Sequence, residues 1–137
     1  MAVHLALDIG KETIGLAACD EDEGEVRALY TVTRTSRRRD VAKVVAEIER
    51  LGAARVVVGL AVHRDGSEGT SARRARAIGD LVAAEAGVEV VYQDEFLSTF
   101  EAEQRLLARG LSGRPMEEQI DAEAARVILE AYLEGRG

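Results

Sequence analysis

An apolar run near the middle of the chain, three consecutive valines within Arg55–Leu60, limits the fold more than any other feature. A strand that is apolar on both faces must be covered on both faces, and such strands are reached through helical crossovers. Helical periodicity flanks this run: Asp40–Leu51 precedes it and stops at Gly52, and Ser71–Ala86 follows it and stops at Gly87. The run therefore predicts a sheet with helices on both faces.

The rest of the chain supplies four more strands and two more helices. Tight, glycine-containing links join three short strands at the start, which is typical of an antiparallel meander. Later in the chain, Ser98 to Glu101 predicts a capping box, with a helix that begins at Thr99. The predicted strands are Val3–Asp8, Ile14–Cys19, Glu25–Thr33 and Val88–Tyr92, and the predicted helices are Thr99–Arg109 and Pro115–Leu133.

These elements predict an α/β fold over residues 1–137 as a single domain: a mixed five-stranded sheet, an antiparallel meander plus crossover strands, with helices on both faces. Hydrophobic residues make up 47% of the chain and charged residues 31%, which excludes a disordered or fibrous chain. No apolar run approaches the roughly 20 residues of a membrane-spanning helix. The single cysteine, Cys19, excludes an internal disulfide, so we expect a cytoplasmic protein with no membrane partner.

The net charge of −7, from 18 Lys+Arg and 25 Asp+Glu, argues against a protein that coats nucleic acid nonspecifically. The basic residues are nearly all Arg, which binds phosphate through two parallel hydrogen bonds. Local basic clusters are compatible with a phosphate-bearing partner, and each of them is equally compatible with ordinary solvated surface. The clusters are Arg34 with Arg37–Arg39; Arg73, Arg74 and Arg76; and, more sparsely, Arg105, Arg109 and Arg114.

Three carboxylates occupy positions from which they could meet at one point. Asp8 ends the first strand, Glu95 follows the last strand directly, and Asp121 lies in line with an apolar helix stripe that includes Ala124 and Ala125. A carboxylate in such a stripe is costly unless it is paired, hydrogen-bonded or bound to a cation, and the alanines let the helix approach the sheet. Oxygen ligands of this kind suit Mg²⁺ or Mn²⁺. Taken singly, the three acids could instead be a turn-former, a loop carboxylate and a solvated helix residue.

Several residues near these acids are candidates for contact with nucleic acid. Three arginines open the helix that follows the loop Ala61–Gly69, where they could hold a phosphate backbone. In that loop, His63 could contact phosphate or transfer a proton, or it could be polar surface. The candidate nucleic-acid contacts are Arg73, Arg74, Arg76, His63 and Ser98, with Arg37–Arg39 as the rival site.

Short motifs occur in order along nearly the whole chain. They are Leu7-Asp8-Ile9-Gly10 with Ile14-Gly15-Leu16-Ala17; Val56-Val57-Val58-Gly59-Leu60; Asp65-Gly66-Ser67-Glu68-Gly69; Asp94-Glu95 with Leu97-Ser98-Thr99; and Ile120-Asp121 with Ala124-Ala125 and Ile128-Leu129. At these residues the chain resembles the YqgF/RuvX family of RNase H-like proteins, which are described as Holliday junction resolvases and as pre-16S rRNA nucleases.

The resemblance implies an RNase H-like fold and a metal-dependent nuclease that hydrolyses phosphodiester bonds in structured nucleic acid. The substrate would be the 5′ end of pre-16S rRNA or branched, Holliday junction-like DNA. Asp8, Glu95 and Asp121 match the family's metal-binding acids, so the resemblance makes them catalytic ligands of two Mg²⁺ or Mn²⁺ ions. Two such ions about 4 Å apart would align a water molecule and stabilise the leaving oxygen. RNA and DNA substrates are both left open, as are a monomer and a homodimer.

The chain departs from the family pattern at positions expected to contact phosphate. It has Glu12 and Thr13 where the family usually has a basic pair, and Ala61 and His63 where it usually has Pro and Asn. It has Phe96 where Arg usually follows the strand-end Glu. These departures keep open a non-catalytic nucleic-acid-binding or ribosome-assembly factor with the same fold. A more distant hypothesis is a nucleotide-binding domain like those of actin-like ATPases, which have a similar Asp-x-Gly hairpin.

Overall fold

The computed structural model describes residues 2–20, 24–95 and 97–135, and its strands and helices follow the order predicted from the sequence. The strands are β1 (Val3–Ile9), β2 (Thr13–Asp20), β3 (Val26–Thr33), β4 (Ala53–Leu60) and β5 (Glu89–Asp94). The helices are α1 (Arg37–Leu51), α2 (Thr70–Ala86), α3 (Ser98–Ala108) and α4 (Gly113–Gly135). Within these residues, no helix combines the length and the hydropathy that crossing a membrane requires.

The strands form one mixed sheet in the order β3-β2-β1-β4-β5. Strands β1, β2 and β3 are antiparallel neighbours, whereas β4 is parallel to both β1 and β5. The predicted sheet, an antiparallel meander followed by crossover strands, is therefore confirmed. Because β1, β4 and β5 run in the same direction, their carboxyl ends lie at one edge of the sheet, where ligand-binding groups collect in sheets of this type.

Helices cover both faces of the sheet, as the valine run predicted. On one face, α1 and α2 cover a core that includes Leu5 and Leu7 of β1. On the other face, α4 crosses the strands and packs over small residues such as Ala6, with Ala125 contributed by α4 itself. Since side chains alternate along a strand, Asp8 lies on the same face as Ala6, beneath α4.

Helix α1 begins at Arg37 rather than at the predicted Asp40, because the residues before it cap it well. The Ser36 hydroxyl accepts a hydrogen bond from the backbone N–H of Arg39 at 3.2 Å. The buried carboxylate of Asp40 accepts one from Arg34 Nε at 3.0 Å. Capping by Ser36 supplies a partner for a backbone donor that the first helical turn cannot otherwise satisfy.

Helix α3 begins at Ser98, with Leu97 as its N-cap in the left-handed conformation (φ 62°), so the predicted capping box is wrong. Within the described part of the chain, no side chain caps the first turn of the helix at Leu97. Ser98 takes the first helical position, where its backbone N–H donates to the carbonyl oxygen of Glu95 at 2.9 Å. The connection between β5 and α3 is therefore tight and holds Glu95 in place.

A buried carboxylate fixes α3 against α4. Glu123 of α4 is only 1% exposed, and it accepts hydrogen bonds from Arg105 at 3.5 Å, Arg109 at 3.2 Å and Arg126 at 3.3 Å. Removing one partner from a buried charge cluster is strongly destabilising, because the remaining charge is left uncompensated. Glu123 thus sets the position of α3, whose first turn lies beside Glu95.

Candidate functional site

The first acid, Asp8, lies near the carboxyl end of β1, directly opposite Gly15 of β2. The turn that follows it is closed by a hydrogen bond from Gly10 N to Thr13 O at 2.8 Å. Arg34 reaches under this turn and donates to the carbonyl oxygen of Gly10 at 2.9 Å. These bonds fix the end of β1, so the Asp8 side chain is presented from a rigid strand.

The second acid, Asp121, approaches Asp8 from α4 because Gly15 has no side chain. A Cβ atom at Gly15 would lie 2.0 Å from the carbonyl oxygen of Asp121 and 2.7 Å from the backbone nitrogen of Ala122. The backbone of α4 therefore touches the backbone of β2. At this contact, the Thr13 hydroxyl donates a hydrogen bond of 2.6 Å to Asp121 Oδ2, which orients the carboxylate.

The third acid, Glu95, approaches Asp8 from the other side, and a second glycine makes this approach possible. Strand β4 lies between β1 and β5, and its Gly59 leaves open the space that the Glu95 side chain crosses. A Cβ atom at Gly59 would lie 2.7 Å from Glu95 Oε2 and 2.5 Å from Ile128 Cδ1. The glycines on the two strands that flank β1 thus bring two acids toward Asp8.

The three carboxylates influence one another electrostatically. Burial raises the pKa of Asp8 well above its ordinary value of 3.8, and the charges of Glu95 and Asp121 and a hydrogen bond with Glu95 raise it further. Burial also raises the pKa of Glu95, although its hydrogen bond with Asp8 acts in the opposite direction. Without a cation, crowded carboxylates of this kind favour retention of a proton between Asp8 and Glu95.

The donor set fits a hard divalent cation. Among the described residues, Glu95 Oε2 is a buried side-chain oxygen with no hydrogen-bond partner, and a carboxylate oxygen in that state is costly unless a cation compensates it. Carboxylate oxygens are the ligands that Mg²⁺ and Mn²⁺ prefer. Within the described ranges, no three His, Cys, Asp or Glu side chains already form a group arranged to hold a metal ion. Asp8 and Glu95 are joined by a hydrogen bond, whereas Asp121 acts on Asp8 through its charge.

The loop between β4 and α2 holds some of the candidate nucleic-acid contacts. His63 is exposed there, and its ring packs so close to Gly69 that a Cβ atom at Gly69 would lie 2.8 Å from Nε2. Asp65 closes the loop by accepting hydrogen bonds from the backbone and hydroxyl of Ser67. Arg73 is exposed in the first turn of α2, and its guanidinium lies 3.5 Å from the Thr70 hydroxyl, a long contact.

The structure places two other candidates in contacts inside the protein. Arg76 forms a two-pronged ion pair with Glu68, at 2.6 and 2.7 Å, and its guanidinium lies over the Tyr92 ring, 4.8 Å from the centroid. Ser98 is only 4% exposed. Arg74 is partly buried on α2, whereas Phe96 lies outside the described residues. Of the predicted cluster on α2, Arg73 is thus the one with the most accessible guanidinium.

A groove of about 930 Å³ extends from Asp121 between β3 and α4. Thr13 lines the groove beside Asp121, and Arg27, Arg109 and Arg126 line it as well. Sequence reasoning missed Arg27 and Arg126, because neither belongs to a local cluster of basic residues. Thr13 stands out in the sequence only as a departure from the family pattern. Its hydrogen bond to Asp121 could not be predicted, because the two residues are 108 positions apart in the chain.

Comparison with known proteins gives consistent matches over nearly the whole chain. The profile of the family described as "RuvX: Holliday junction resolvase" matches residues 2–135. A protein named "Putative pre-16S rRNA nuclease" from Anaeromyxobacter sp. (strain Fw109-5) is 45% identical over 133 residues, which cover 97% of each chain. A relative of the same name from Clostridium beijerinckii is 34% identical over 130 residues, covering 95% of this chain and 94% of its own.

Solved structures share the fold. RuvC of Thermus thermophilus in complex with a Holliday junction substrate superposes with a TM-score of 0.63 at 20% identity, covering 99% of this chain and 96% of RuvC. The Fowlpox virus resolvase in complex with Holliday junction DNA gives a TM-score of 0.59 at 12% identity, covering 98% of each chain. The predicted RNase H-like fold is therefore confirmed.

Proposed function

We propose that this chain, which belongs to the RuvX family, is a metal-dependent nuclease that hydrolyses phosphodiester bonds in structured nucleic acid. The observation that supports the proposal is the buried Asp8–Glu95 pair, which share a hydrogen bond, with the charge of Asp121 acting on Asp8 from α4. Keeping crowded carboxylates there is unfavourable unless a cation binds them. The relatives' names favour pre-16S rRNA as substrate, and the family description favours branched DNA.

The three acids would hold the cation, and we propose two ions of Mg²⁺ or Mn²⁺. When bound, such ions would supply an activated water and stabilise the leaving oxygen of the phosphodiester. The chain's own part is to hold the acids: β1 presents Asp8, Gly59 admits Glu95, and Thr13 orients Asp121. Because two of the acids have raised pKa values, a cation must displace protons as it binds, so its affinity should rise with pH.

The nucleic acid would lie over the loop that contains His63 and over the start of α2. Arg73 is exposed there, with the partly buried Arg74 next to it. Arg76 would act indirectly, because its ion pair with Glu68 ties the loop to α2. Cytoplasmic action is part of the proposal and fits a lone cysteine buried in β2.

A cleavage assay tests the proposal. The wild-type chain is incubated with Mg²⁺ or Mn²⁺ and with four substrates: a four-way DNA junction, a duplex, a single strand and a precursor rRNA end. Asp8→Asn should abolish cleavage, whereas Glu103→Gln, a carboxylate change on the exposed side of α3, should leave it unchanged. Metal-independent cleavage, or full cleavage by Asp8→Asn, would refute the proposal.

One observation favours the second hypothesis, a non-catalytic binding or assembly factor. The Thr13 hydroxyl donates a hydrogen bond to Asp121 Oδ2, and the family pattern usually has a basic residue at the position of Thr13. Such a factor would bind the same RNA or DNA with unchanged affinity after Asp8→Asn and would cleave none of the substrates. The assay therefore separates the two functions when binding is measured in parallel.

A further inference from the structure

Two large apolar side chains face solvent directly beside the candidate acids. Leu97 and Phe100, at the start of α3, are each 58% exposed. Among the described residues, Leu97 is the one non-glycine with a positive φ, at 62°. A leucine rarely adopts this conformation, and backbone strain of this kind concentrates at functional sites. The fold thus holds an apolar side chain in solvent at a conformational cost, two residues from Glu95.

These side chains form one wall of a pocket of about 310 Å³. Ala61 and Val62, from the end of β4 and the loop after it, line it as well, and Glu95 lines it beside them. A pocket of this volume lies at the lower end of the range for small-molecule sites, roughly 300–1,000 Å³, which is enough for the flat ring system of a nucleobase. The other lining residues are polar: Ser98 and Thr99 of α3, and Glu95, which is itself one of the candidate acids.

The pocket is continuous with a surface that suits phosphate. Ala61 and Val62 also line a neighbouring pocket of about 370 Å³, whose other residues include Thr70, Ser71 and Arg73. The two pockets therefore place an apolar compartment next to hydroxyl groups and an exposed guanidinium. A nucleotide has the same division, an aromatic base joined to an anionic phosphate.

We propose that the pocket between Leu97, Phe100, Ala61 and Val62 binds a nucleobase that has left its stack, with Phe100 as the aromatic partner. This inference rests on the proposed function, because it assumes that nucleic acid lies across the acids. It makes the chain selective: nucleic acid with an unpaired nucleotide binds more tightly than an uninterrupted duplex. Aromatic stacking is tolerant of base identity, so the selectivity is for unpaired structure rather than for sequence.

The test compares binding of two oligonucleotides that differ by one bulged nucleotide, in RNA and in DNA. Affinities are measured by fluorescence anisotropy with the Asp8→Asn protein, so that cleavage does not interfere. Replacing Phe100 by Ala should reduce the preference for the bulged strand roughly 5- to 150-fold, which is the range for loss of one base–aromatic stack. Phe100→Trp should retain the preference, and Leu107→Ala, an exposed apolar change on the same helix, should not alter it.

A second variant removes the apolar side chain without backbone strain. Asn tolerates the left-handed conformation, so Leu97→Asn should leave the melting temperature unchanged or higher while weakening the preference for the bulged strand. An equal loss of affinity for both strands after Phe100→Ala would overturn the inference. The inference would also be overturned if the Asp8→Asn protein bound neither strand. A change in sedimentation after Phe100→Ala, showing that Leu97 and Phe100 join two copies of the chain, would overturn it as well. Cleavage by the wild-type chain without any preference would leave the proposed function standing and overturn this inference alone.

Discussion

Replacing Gly15 by Ala tests how the fold brings Asp121 to Asp8. The added Cβ atom would lie 2.0 Å from the carbonyl oxygen of Asp121, which is backbone and cannot rotate away. Ordinary contact begins at about 3.4 Å, so α4 and β2 must separate by about 1.4 Å at this point. The carboxylate of Asp121 would move with its backbone, away from Thr13 and Asp8.

The magnitude of the effect follows from that displacement. Overpacking of a tight contact costs typically 1–3 kcal/mol, and a clash with backbone belongs at the upper end, about 3 kcal/mol. A displacement of about 1 Å in a catalytic group can reduce turnover about 100-fold. We therefore expect Gly15→Ala to lower both stability and cleavage, with cleavage affected even at temperatures where the variant is fully folded.

Urea denaturation and cleavage rates measured on the same preparations check this expectation. The matched control is Gly135→Ala at the end of α4, because a Cβ atom there would meet nothing within 4 Å. Gly15→Ala with the stability and cleavage rate of Gly135→Ala would refute the reasoning. It would mean that α4 does not contact β2 as described, and that Asp121 reaches the site by another route or not at all.

Three further perturbations address the acids and their surroundings. Thr13→Val should destabilise the metal-free protein by about 1–2 kcal/mol in thermal denaturation, because it removes a hydrogen bond to a carboxylate. Thr13→Ser keeps the hydroxyl and should retain most of that stability. Equal losses in the two variants would contradict a stabilising hydrogen bond from Thr13. The pKa of Asp8 is raised on folding, so its ionisation destabilises the wild-type protein as pH rises above 3.8. In EDTA, the free energy of unfolding of Asp8→Asn relative to wild type should therefore increase with pH, by at most about 1.4 kcal/mol per pH unit. A pH-independent difference would count against the raised pKa. Changing Arg73 and Arg74 together to Ala should make the plot of log binding constant against log salt concentration shallower, by the equivalent of about one to two phosphate contacts. Arg76→Ala should chiefly reduce stability, because it breaks the ion pair with Glu68. An unchanged salt slope in the double variant would exclude the start of α2 as a phosphate-binding surface.

The sequence was sufficient for the sheet, because its strands and helices leave a local pattern, whereas the assignment of the three acids to one metal site stays a prediction. The valine run requires cover on both faces, and the alanines beside Asp121 indicate a helix lying close to a sheet. The bonds that join distant segments leave no such pattern. The ion pair between Arg76 and Glu68 depends on how a loop folds back over a helix, so it could not be predicted from a cluster of arginines.

The start of α3 shows how tertiary structure overrides a local preference. Ser98 and Glu101 have the spacing of a capping box, and an isolated peptide would favour it. In the folded chain Leu97 takes the capping position instead, in a conformation that leucine rarely adopts, and Ser98 N donates to Glu95 O. No local feature of the sequence indicates that strain, yet it is what exposes an apolar side chain beside the acids.

The central claim is that Asp8, Glu95 and Asp121 form one metal site, and melting with and without metal tests it most directly. A cation that binds only the folded state at 100 times its dissociation constant stabilises it by about 2.7 kcal/mol. Mg²⁺ or Mn²⁺ should therefore raise the melting temperature of the wild-type chain. In Asp121→Asn, which preserves side-chain volume and removes only charge, that rise should be greatly reduced and cleavage should be lost. A full metal-induced rise together with full cleavage in Asp121→Asn would contradict the account.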